Sequence, residues 1–180
     1  MPSLLYLHGF ASCGKGQKST ALSAYFGENS VVAPDLPYAP DDAIVFLESL
    51  IGSRHFDLII GSSLGGFYAA YLAEKYASKA VLLNPSTEPY ETLAPYVGIQ
   101  KRFCDGETFR FEAAYLQQLK DYVSKPEKGM YLVLLQSEDE VLDYRKAKNR
   151  YRDHRVIVEY GGNHRFENIN DYFSMIGNFI

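Results

Sequence analysis

A serine between two glycines is the first feature of this chain that could carry out chemistry. The segment Gly61-Ser62-Ser63-Leu64-Gly65 fits the pattern G-x-S-x-G, whose serine stands at a tight turn between a strand and a helix. The apolar run Leu58–Ile60 precedes it, and an alanine-rich segment typical of a helix follows. The sequence therefore predicts a nucleophile elbow, with the hydroxyl of Ser63 above a sheet, although a glycine-rich turn of any parallel-sheet protein would show a similar pattern.

A serine nucleophile needs a base that takes its proton. In the parallel-sheet folds in which the G-x-S-x-G motif occurs, this base comes last in the chain. Two histidines follow Ser63. His154 precedes a predicted strand, which puts it at the wrong edge of the sheet for catalysis. His164 follows the predicted strand Val156–Val158 in a glycine-rich turn, at the edge where ligands bind in parallel sheets. We predict that His164 is the base.

The base in turn needs a carboxylate that orients it and stabilises its charged form. Four carboxylates follow the fifth predicted strand, Met130–Leu135: Glu138, Asp139, Glu140 and Asp143. Asp139 is the predicted acid, because the hydrophobic pair two residues later would fix its loop. Glu138 and Asp143 stay open as alternatives, although Asp143 is also typical of a helix N-cap.

A tetrahedral intermediate needs two backbone N–H groups aimed at its oxyanion. Leu64, the residue after the nucleophile, supplies one such group in the prediction. The loop after the first strand, His8-Gly9-Phe10, supplies the other through the N–H of Phe10. We expect the ring of His8 to brace this loop and not to act as a second base.

Strands and helices that alternate along the chain would position these groups. Six strands are predicted: Leu4–Leu7, Val31–Ala33, Leu58–Ile60, Ala80–Pro85, Met130–Leu135 and Val156–Val158. Helices are predicted at about 19–26, from Asp41 onward, after Ser63, at about 144–150, and along an apolar face from Phe166 to Ile180. This alternation indicates an α/β fold, a single three-layer α/β/α domain with a mostly parallel six-stranded sheet.

The domain is expected to span residues 1–180, with a small cap-like insertion at about 86–128. Helical spacing from Phe111 to Tyr122 predicts a helix in the second half of this insertion, and its first half shows no regular rhythm. The insertion carries six aromatic residues, some of which are expected to line an apolar acyl pocket over Ser63: Tyr90, Tyr96, Phe103, Phe109, Phe111 and Tyr115.

Composition excludes several classes of partner. The chain has 180 residues and a formal net charge of −4, without a run of Lys and Arg, so neither nucleic acid nor a membrane is an expected partner. Cys13 and Cys104 are far apart and do not form a metal-binding or C-x-x-C cluster, which predicts two free thiols in a reducing compartment. Without a signal peptide, the expectation is a cytoplasmic protein. No metal or organic cofactor is implied, and the oligomeric state stays open.

The motifs together resemble the α/β-hydrolase superfamily, and within it a compact bacterial esterase family known as YqiA-like (UPF0227). The matching segments run from one end of the chain to the other: Tyr6–Phe10, Gly61–Gly66, Asn84-Pro85, Asp139–Tyr144 and Gly162–His164. The resemblance implies a sheet that lacks the first two strands of the superfamily, and hydrolysis of carboxylic esters or thioesters. Glu138 departs from the pattern, since many hydrolases have glycine before the acid.

The predicted function is therefore a serine esterase that cleaves small esters or thioesters through an acyl-enzyme. An acyltransferase with the same triad and a hydrolase-fold protein that binds without turnover are alternatives. A nucleotide-binding protein is a third, because Gly9–Gly16 comes one residue short of a P-loop. Gly16 stands where that motif needs Ser or Thr for Mg²⁺, and this disfavours nucleotide binding.

Overall fold

A six-stranded parallel sheet forms the centre of the protein in a computed structural model that describes residues 1–180. Its strands are β1 (Leu4–Leu7), β2 (Val31–Val32), β3 (Leu58–Ser62), β4 (Lys79–Leu83), β7 (Met130–Gln136) and β8 (Arg155–Glu159). They lie in the order β2-β1-β3-β4-β7-β8, and every neighbouring pair is parallel. The predicted six-stranded sheet is confirmed, and so is the prediction of an α/β fold.

Helices cover both faces of this sheet. One face carries α1 (Gln17–Phe26) and α7 (Phe173–Phe179). The opposite face carries α2 (Pro40–Ser53), α3 (Leu64–Tyr76), α5 (Ala113–Asp121) and α6 (Tyr144–Arg150). None of the helices combines the length and the hydrophobicity needed to cross a lipid bilayer.

The side chains of each central strand alternate between the two helical layers. In β1, Leu5 and Leu7 pack in the apolar cluster that contains α3, whereas Leu4 and Tyr6 pack in the cluster that contains α1 and α7. Strands buried on both faces consist of continuous apolar residues. This is why short apolar runs in the sequence located the four central strands, whereas the edge strands β2 and β8 are only half-buried.

Residues 86–128 contain more regular structure than their sequence indicates. The short helix α4 (Pro89–Thr92) and a 3₁₀ turn at Ala94–Tyr96 precede an antiparallel hairpin of β5 (Gly98–Lys101) and β6 (Thr108–Phe111), and α5 follows. The expectation of irregular structure in the first half is therefore wrong. Phe111 ends β6 and does not begin the helix.

The closing segment is not one continuous helix. Phe166 lies in a turn with φ 53°, residues Ile169–Tyr172 form a 3₁₀ helix, and α7 begins only at Phe173. The predicted apolar residues nevertheless contact one layer, because Phe166, Ile169, Phe173 and Ile176 are all buried against the sheet.

Candidate active site

Ser63 occupies the sharp corner between β3 and α3. Its backbone has φ 55° and ψ −117°, a conformation that a residue with a side chain adopts only when its surroundings hold it there, at a cost of about 1–3 kcal/mol. The surroundings do so here through two hydrogen bonds of 3.0 Å: the N–H of Ser63 donates to the carbonyl of Leu83, and the N–H of Ser86 donates to the carbonyl of Ser63. The corner is thus fastened to the end of β4 and to the residues that follow it.

The two glycines of the motif allow this corner to pack tightly. A Cβ atom on Gly61 would lie 2.2 Å from the carbonyl oxygen of Gly65, and one on Gly65 would lie 2.1 Å from the carbonyl oxygen of Leu7. Both obstacles are backbone atoms, which do not move aside as the end of a side chain can. Only glycine fits at either position, and α3 therefore begins directly against β1 and β3.

The structure brings Ser63, His164 and Asp139 together in a hydrogen-bonded line. His164 Nε2 lies 3.0 Å from Ser63 Oγ, and His164 Nδ1 lies 2.8 Å from Asp139 Oδ2 and 3.0 Å from Oδ1. An ionised carboxylate only accepts hydrogen bonds, so Nδ1 carries the proton of the neutral ring and Nε2 presents its lone pair to the serine hydroxyl. This arrangement can remove the proton from Ser63.

Asp139 reaches His164, and the two alternative acids do not. Its side chain is 2% exposed, and its Oδ1 also accepts hydrogen bonds from the N–H groups of Val141 and Leu142 at 2.9 and 2.8 Å. Asp143 instead caps α6 through the N–H of Arg145 and forms an ion pair with the same residue. The carboxylate of Glu138 makes no hydrogen bond, and the residue is exposed.

Asn84 supports the loop of His164, a function that the sequence analysis did not assign. It is 2% exposed, and its Nδ2 donates to the carbonyl of Asn163 at 3.0 Å, while its Oδ1 accepts from the N–H of Gln136 at 2.9 Å. One amide thus joins the ends of β4 and β7 to the residue before His164. A polar residue directly after the apolar strand β4 was the signal that could have found it.

Gln136 and Glu140 fix the same loop from the β7 side. Gln136 is 1% exposed, and its Oε1 accepts from the N–H of Asn163 at 2.9 Å. Glu140 accepts the N–H of His164 itself at 2.9 Å, and this hydrogen bond lowers the pKa of the Glu140 carboxyl. Because the backbone of His164 is held on both sides, its ring has little freedom to leave Ser63.

The loop His8-Gly9-Phe10 lies beside Ser63. A Cβ atom on Gly9 would lie 3.3 Å from the Cβ of Ser63, so a side chain at this position would crowd the hydroxyl. The N–H of Phe10 makes no hydrogen bond within the chain, and the N–H of Leu64, in the first residue of α3, lacks an intrahelical acceptor. Both predicted oxyanion donors therefore lie next to Ser63 with their N–H groups free of the helix and sheet ladders.

His8 braces this loop, as expected. The N–H of Leu36 donates to His8 Nε2 at 3.0 Å, which leaves the proton on Nδ1, and Nδ1 donates to the carbonyl of Gly9 at 2.8 Å. Burial lowers the pKa of His8, which agrees with the neutral ring that this pattern requires. Both ring nitrogens are occupied, so neither is available as a base.

A narrow hollow opens beside Gly9, Phe10 and Leu64. Its volume is about 30 Å³, and its lining is largely apolar: His8, Gly9, Phe10, Ala11, Ser12, Leu36, Pro37, Tyr38, Leu64, Tyr68 and Phe109. Of the six aromatic residues predicted to line an acyl pocket, Phe109 is the one that lines this hollow. The rings of Tyr96 and Phe111 instead pack on Phe10, with centroids 5.8 and 5.1 Å away, whereas Phe103 is 79% exposed.

Cys13 and Cys104 form a disulfide, so the prediction of two free thiols is wrong. Cys13 lies in the loop after β1, and Cys104 lies in the turn between β5 and β6. The two segments meet because the hairpin packs over that loop, where the N–H of Phe103 donates to the carbonyl of Ala11 at 2.8 Å. Because neither cysteine is a free thiol, the two residues do not indicate a reducing compartment.

The residues around the disulfide and the P-loop-like segment Gly9–Gly16 are not suited to bind a metal ion or a phosphate. The sulfur atoms of Cys13 and Cys104 lie within 4.8 Å of a carboxylate oxygen of Asp105, but a disulfide offers no thiolate, the form of cysteine that binds metals. In the segment that resembles a P-loop, the carboxylate of Asp35 accepts the N–H of Gly14 at 2.7 Å. A phosphate would need that N–H and would meet a negative charge.

Comparison with known families and curated proteins gives a consistent result. The model of the uncharacterised protein family UPF0227 matches residues 3–180. A UPF0227 protein of Citrobacter koseri is 24% identical over 183 residues, which cover 96% of each chain. A UPF0227 protein of Vibrio parahaemolyticus is 24% identical over 186 residues, which cover 98% of each chain.

Solved structures that resemble this chain are α/β hydrolases. A putative hydrolase from Agrobacterium vitis superposes with a TM-score of 0.76 at 16% identity, covering 99% of this chain and 88% of that one. Est1E from Butyrivibrio proteoclasticus, solved with ferulic acid bound, gives 0.73 at 14% identity, with coverages of 99% and 89%. A monoacylglycerol lipase from Paleococcus ferrophilus gives 0.72 at 12% identity, with coverages of 98% and 93%. At these identities the likeness establishes the α/β-hydrolase fold.

Proposed function

The chain belongs to the UPF0227 family, and we propose that it is a serine esterase that hydrolyses small carboxylic esters or thioesters. The observation that carries this proposal is the position of His164, whose two ring nitrogens contact Ser63 Oγ at 3.0 Å and Asp139 Oδ2 at 2.8 Å. A structural histidine has no need to join a strained serine to a buried carboxylate. The esterase and lipase among the structural neighbours agree with the proposal.

In the first half of the reaction, Ser63 Oγ attacks the carbonyl carbon while His164 Nε2 takes its proton. The imidazolium that forms is stabilised by the carboxylate of Asp139, and the N–H groups of Phe10 and Leu64 donate to the oxyanion. The tetrahedral intermediate then expels the alcohol or thiol, which receives the proton from His164. The acyl group stays on Ser63.

In the second half, water replaces the leaving group. His164 Nε2 takes a proton from the water as its oxygen attacks the acyl carbon, and the same two N–H groups stabilise the second oxyanion. Collapse of this intermediate releases the carboxylic acid and returns the proton to Ser63 Oγ. Each proton is taken up and released by His164 Nε2. The ring keeps its orientation throughout because Nδ1 remains hydrogen-bonded to Asp139.

The decisive experiment is fluorophosphonate labelling of the purified chain, with the modified peptide identified by mass spectrometry. We expect the label on Ser63, and we expect Ser63→Ala to abolish labelling and to lower the hydrolysis of short-chain esters by several orders of magnitude. Its melting temperature should stay close to the parent value, because the hydroxyl contacts only His164. Ser53→Ala, which alters an exposed hydroxyl at the end of α2, is the matched control and should label normally.

Ester hydrolysis that persists undiminished in Ser63→Ala would overturn the proposal. The absence of both labelling and turnover in the folded parent chain would also overturn it and would favour a binding protein. An acyltransferase would form the same acyl-enzyme but pass it to an added alcohol much faster than to water, and the ratio of ester to acid among the products measures this.

A further inference from the structure

The hydroxyl group of Tyr68 makes no hydrogen bond within the chain, and Tyr68 lines the hollow beside Ser63. The residue is 2% exposed. Three other side-chain polar atoms without a partner are fully enclosed: Ser30 Oγ, Ser86 Oγ and Asn163 Oδ1. Tyr68 differs from these residues because it lines a hollow that a ligand can enter.

An unpaired hydroxyl in an apolar lining indicates a missing partner. Buried polar groups are nearly always hydrogen-bonded, because a buried group without a partner loses its hydrogen bonds to water and gains none in return. The remaining lining around Tyr68 is provided mainly by Phe10, Leu36, Tyr38 and Phe109, with the rings of Tyr38 and Phe109 stacked at 4.1 Å. Burial raises the pKa of Tyr68, so the phenol keeps its proton and can donate a hydrogen bond.

The hollow also lies next to the position at which the reacting carbonyl would be held. Phe10 and Leu64 line it, and the N–H groups of the same two residues are the proposed oxyanion donors. Tyr68 follows Ser63 by five residues on α3, which amounts to about 7.5 Å of helix rise. A carbonyl held by the two N–H groups would therefore direct one substituent into the hollow, toward the phenol.

From these contacts we infer that the hollow is the acyl subsite and that Tyr68 selects short acyl groups that carry an oxygen atom next to the carbonyl, as in esters of 2-hydroxy acids such as glycolic acid. The inference rests on the proposed serine esterase function. The volume of about 30 Å³ holds roughly two non-hydrogen groups beyond the carbonyl, since a single water needs about 10–15 Å³ on the same measure. Long unbranched acyl chains do not fit.

Two esters of equal size test the inference: ethyl glycolate and ethyl propionate, which differ by a hydroxyl in place of a methyl group. The value of kcat/KM is measured by pH-stat titration and divided by the rate of alkaline hydrolysis, which removes the intrinsic reactivity of each ester. We expect the parent chain to favour ethyl glycolate by about tenfold, because the site otherwise leaves a buried donor unpaired.

Tyr68→Phe should abolish this preference by lowering kcat/KM for the hydroxylated ester about tenfold relative to that for the apolar ester. Tyr71→Phe is the matched control, because Tyr71 lies on the same helix and donates to Glu48 outside the hollow, and it should keep the preference. Thermal unfolding gives a second readout: Tyr68→Phe removes an unpaired hydroxyl, so its melting temperature should equal or exceed that of the parent. A lower melting temperature would show that the hydroxyl stabilises the fold, and it would contradict the inference.

The outcomes separate this inference from the proposed function. If no ester is hydrolysed and Ser63 does not label, the esterase proposal itself fails. If the esters are hydrolysed without preference for a hydroxyl, or if Tyr68→Phe keeps the preference, the esterase proposal stands and the assignment of Tyr68 is wrong.

Discussion

Removal of the disulfide should destabilise the protein strongly. Cys13 and Cys104 are 91 residues apart in the chain, so the bridge closes a loop that spans half of the protein. In the chain-entropy account such a loop lowers the entropy of the unfolded state by about 15.5 cal/mol/K, or about 4.6 kcal/mol at ~25 °C. For a chain of this length each kcal/mol shifts the melting temperature by about 2–4 °C, so the expected decrease is roughly 9–18 °C.

The comparison needs three samples: the oxidised parent chain, the same chain after reduction, and the double variant Cys13→Ser, Cys104→Ser. Urea unfolding gives the free energy of each, and alkylation of the denatured oxidised sample without reductant should find no free thiol. The reduced chain and the double variant should unfold together, below the oxidised chain. The reasoning is refuted if free thiols appear in the oxidised sample. It is equally refuted if the bridge is present and its loss changes the free energy by less than about 1 kcal/mol.

Two further substitutions probe how the site is held. Gly65→Ala should destabilise the protein by about 1–3 kcal/mol or more and prevent labelling of Ser63, because the new Cβ meets the carbonyl oxygen of Leu7 at 2.1 Å; Gly52→Ala in α2, with no atom within 4 Å, is the control and should be neutral or stabilising in thermal unfolding. Asn84→Ala should cost about 1–3 kcal/mol in urea unfolding, because the buried N–H of Gln136 loses its acceptor, and it should slow fluorophosphonate labelling of Ser63; parental labelling in this variant would show that the loop of His164 does not need Asn84.

The sequence was sufficient for the sheet and for two of the three residues that meet at its edge, Ser63 and His164. Strands such as Leu58–Ile60 and Leu4–Leu7 are buried on both faces, so each is a continuous apolar run that needs no alignment to recognise. The contact between Ser63 and His164 could be predicted from the parallel arrangement of the strands, because their carboxyl ends lie at one edge of the sheet. Asp139 was less determined, since four carboxylates occupy one loop and only packing decides which of them turns inward.

The features that sequence reasoning missed depend on contacts between distant segments. The hairpin has short strands in which exposed residues alternate with half-buried ones in β5 and with buried ones in β6, and neither strand contains an apolar run. Once the hairpin was missed, nothing brought Cys104 near Cys13, and the disulfide was missed with it. Gln136 is a common polar residue at the end of a strand, and only its burial reveals that it supports His164.

The two halves of the site are stabilised by different parts of the chain. His164 and Asp139 rest on the ends of β7 and β8, where Asn84 donates a hydrogen bond to the carbonyl of Asn163 and Gln136 accepts one from the N–H of the same residue.

The half that contains Phe10 depends on the hairpin. The ring of Phe10 packs on Phe109 and Phe111, with centroids 5.7 and 5.1 Å away, and the disulfide ties the same loop to the turn of the hairpin. A change within the hairpin therefore acts on Phe10 and on the hollow, while the hydrogen bonds that hold the loop of His164 come from residues outside the hairpin. Under the proposed esterase function, evolution of the hairpin would alter which ester is cleaved while His164 keeps its contact with Ser63.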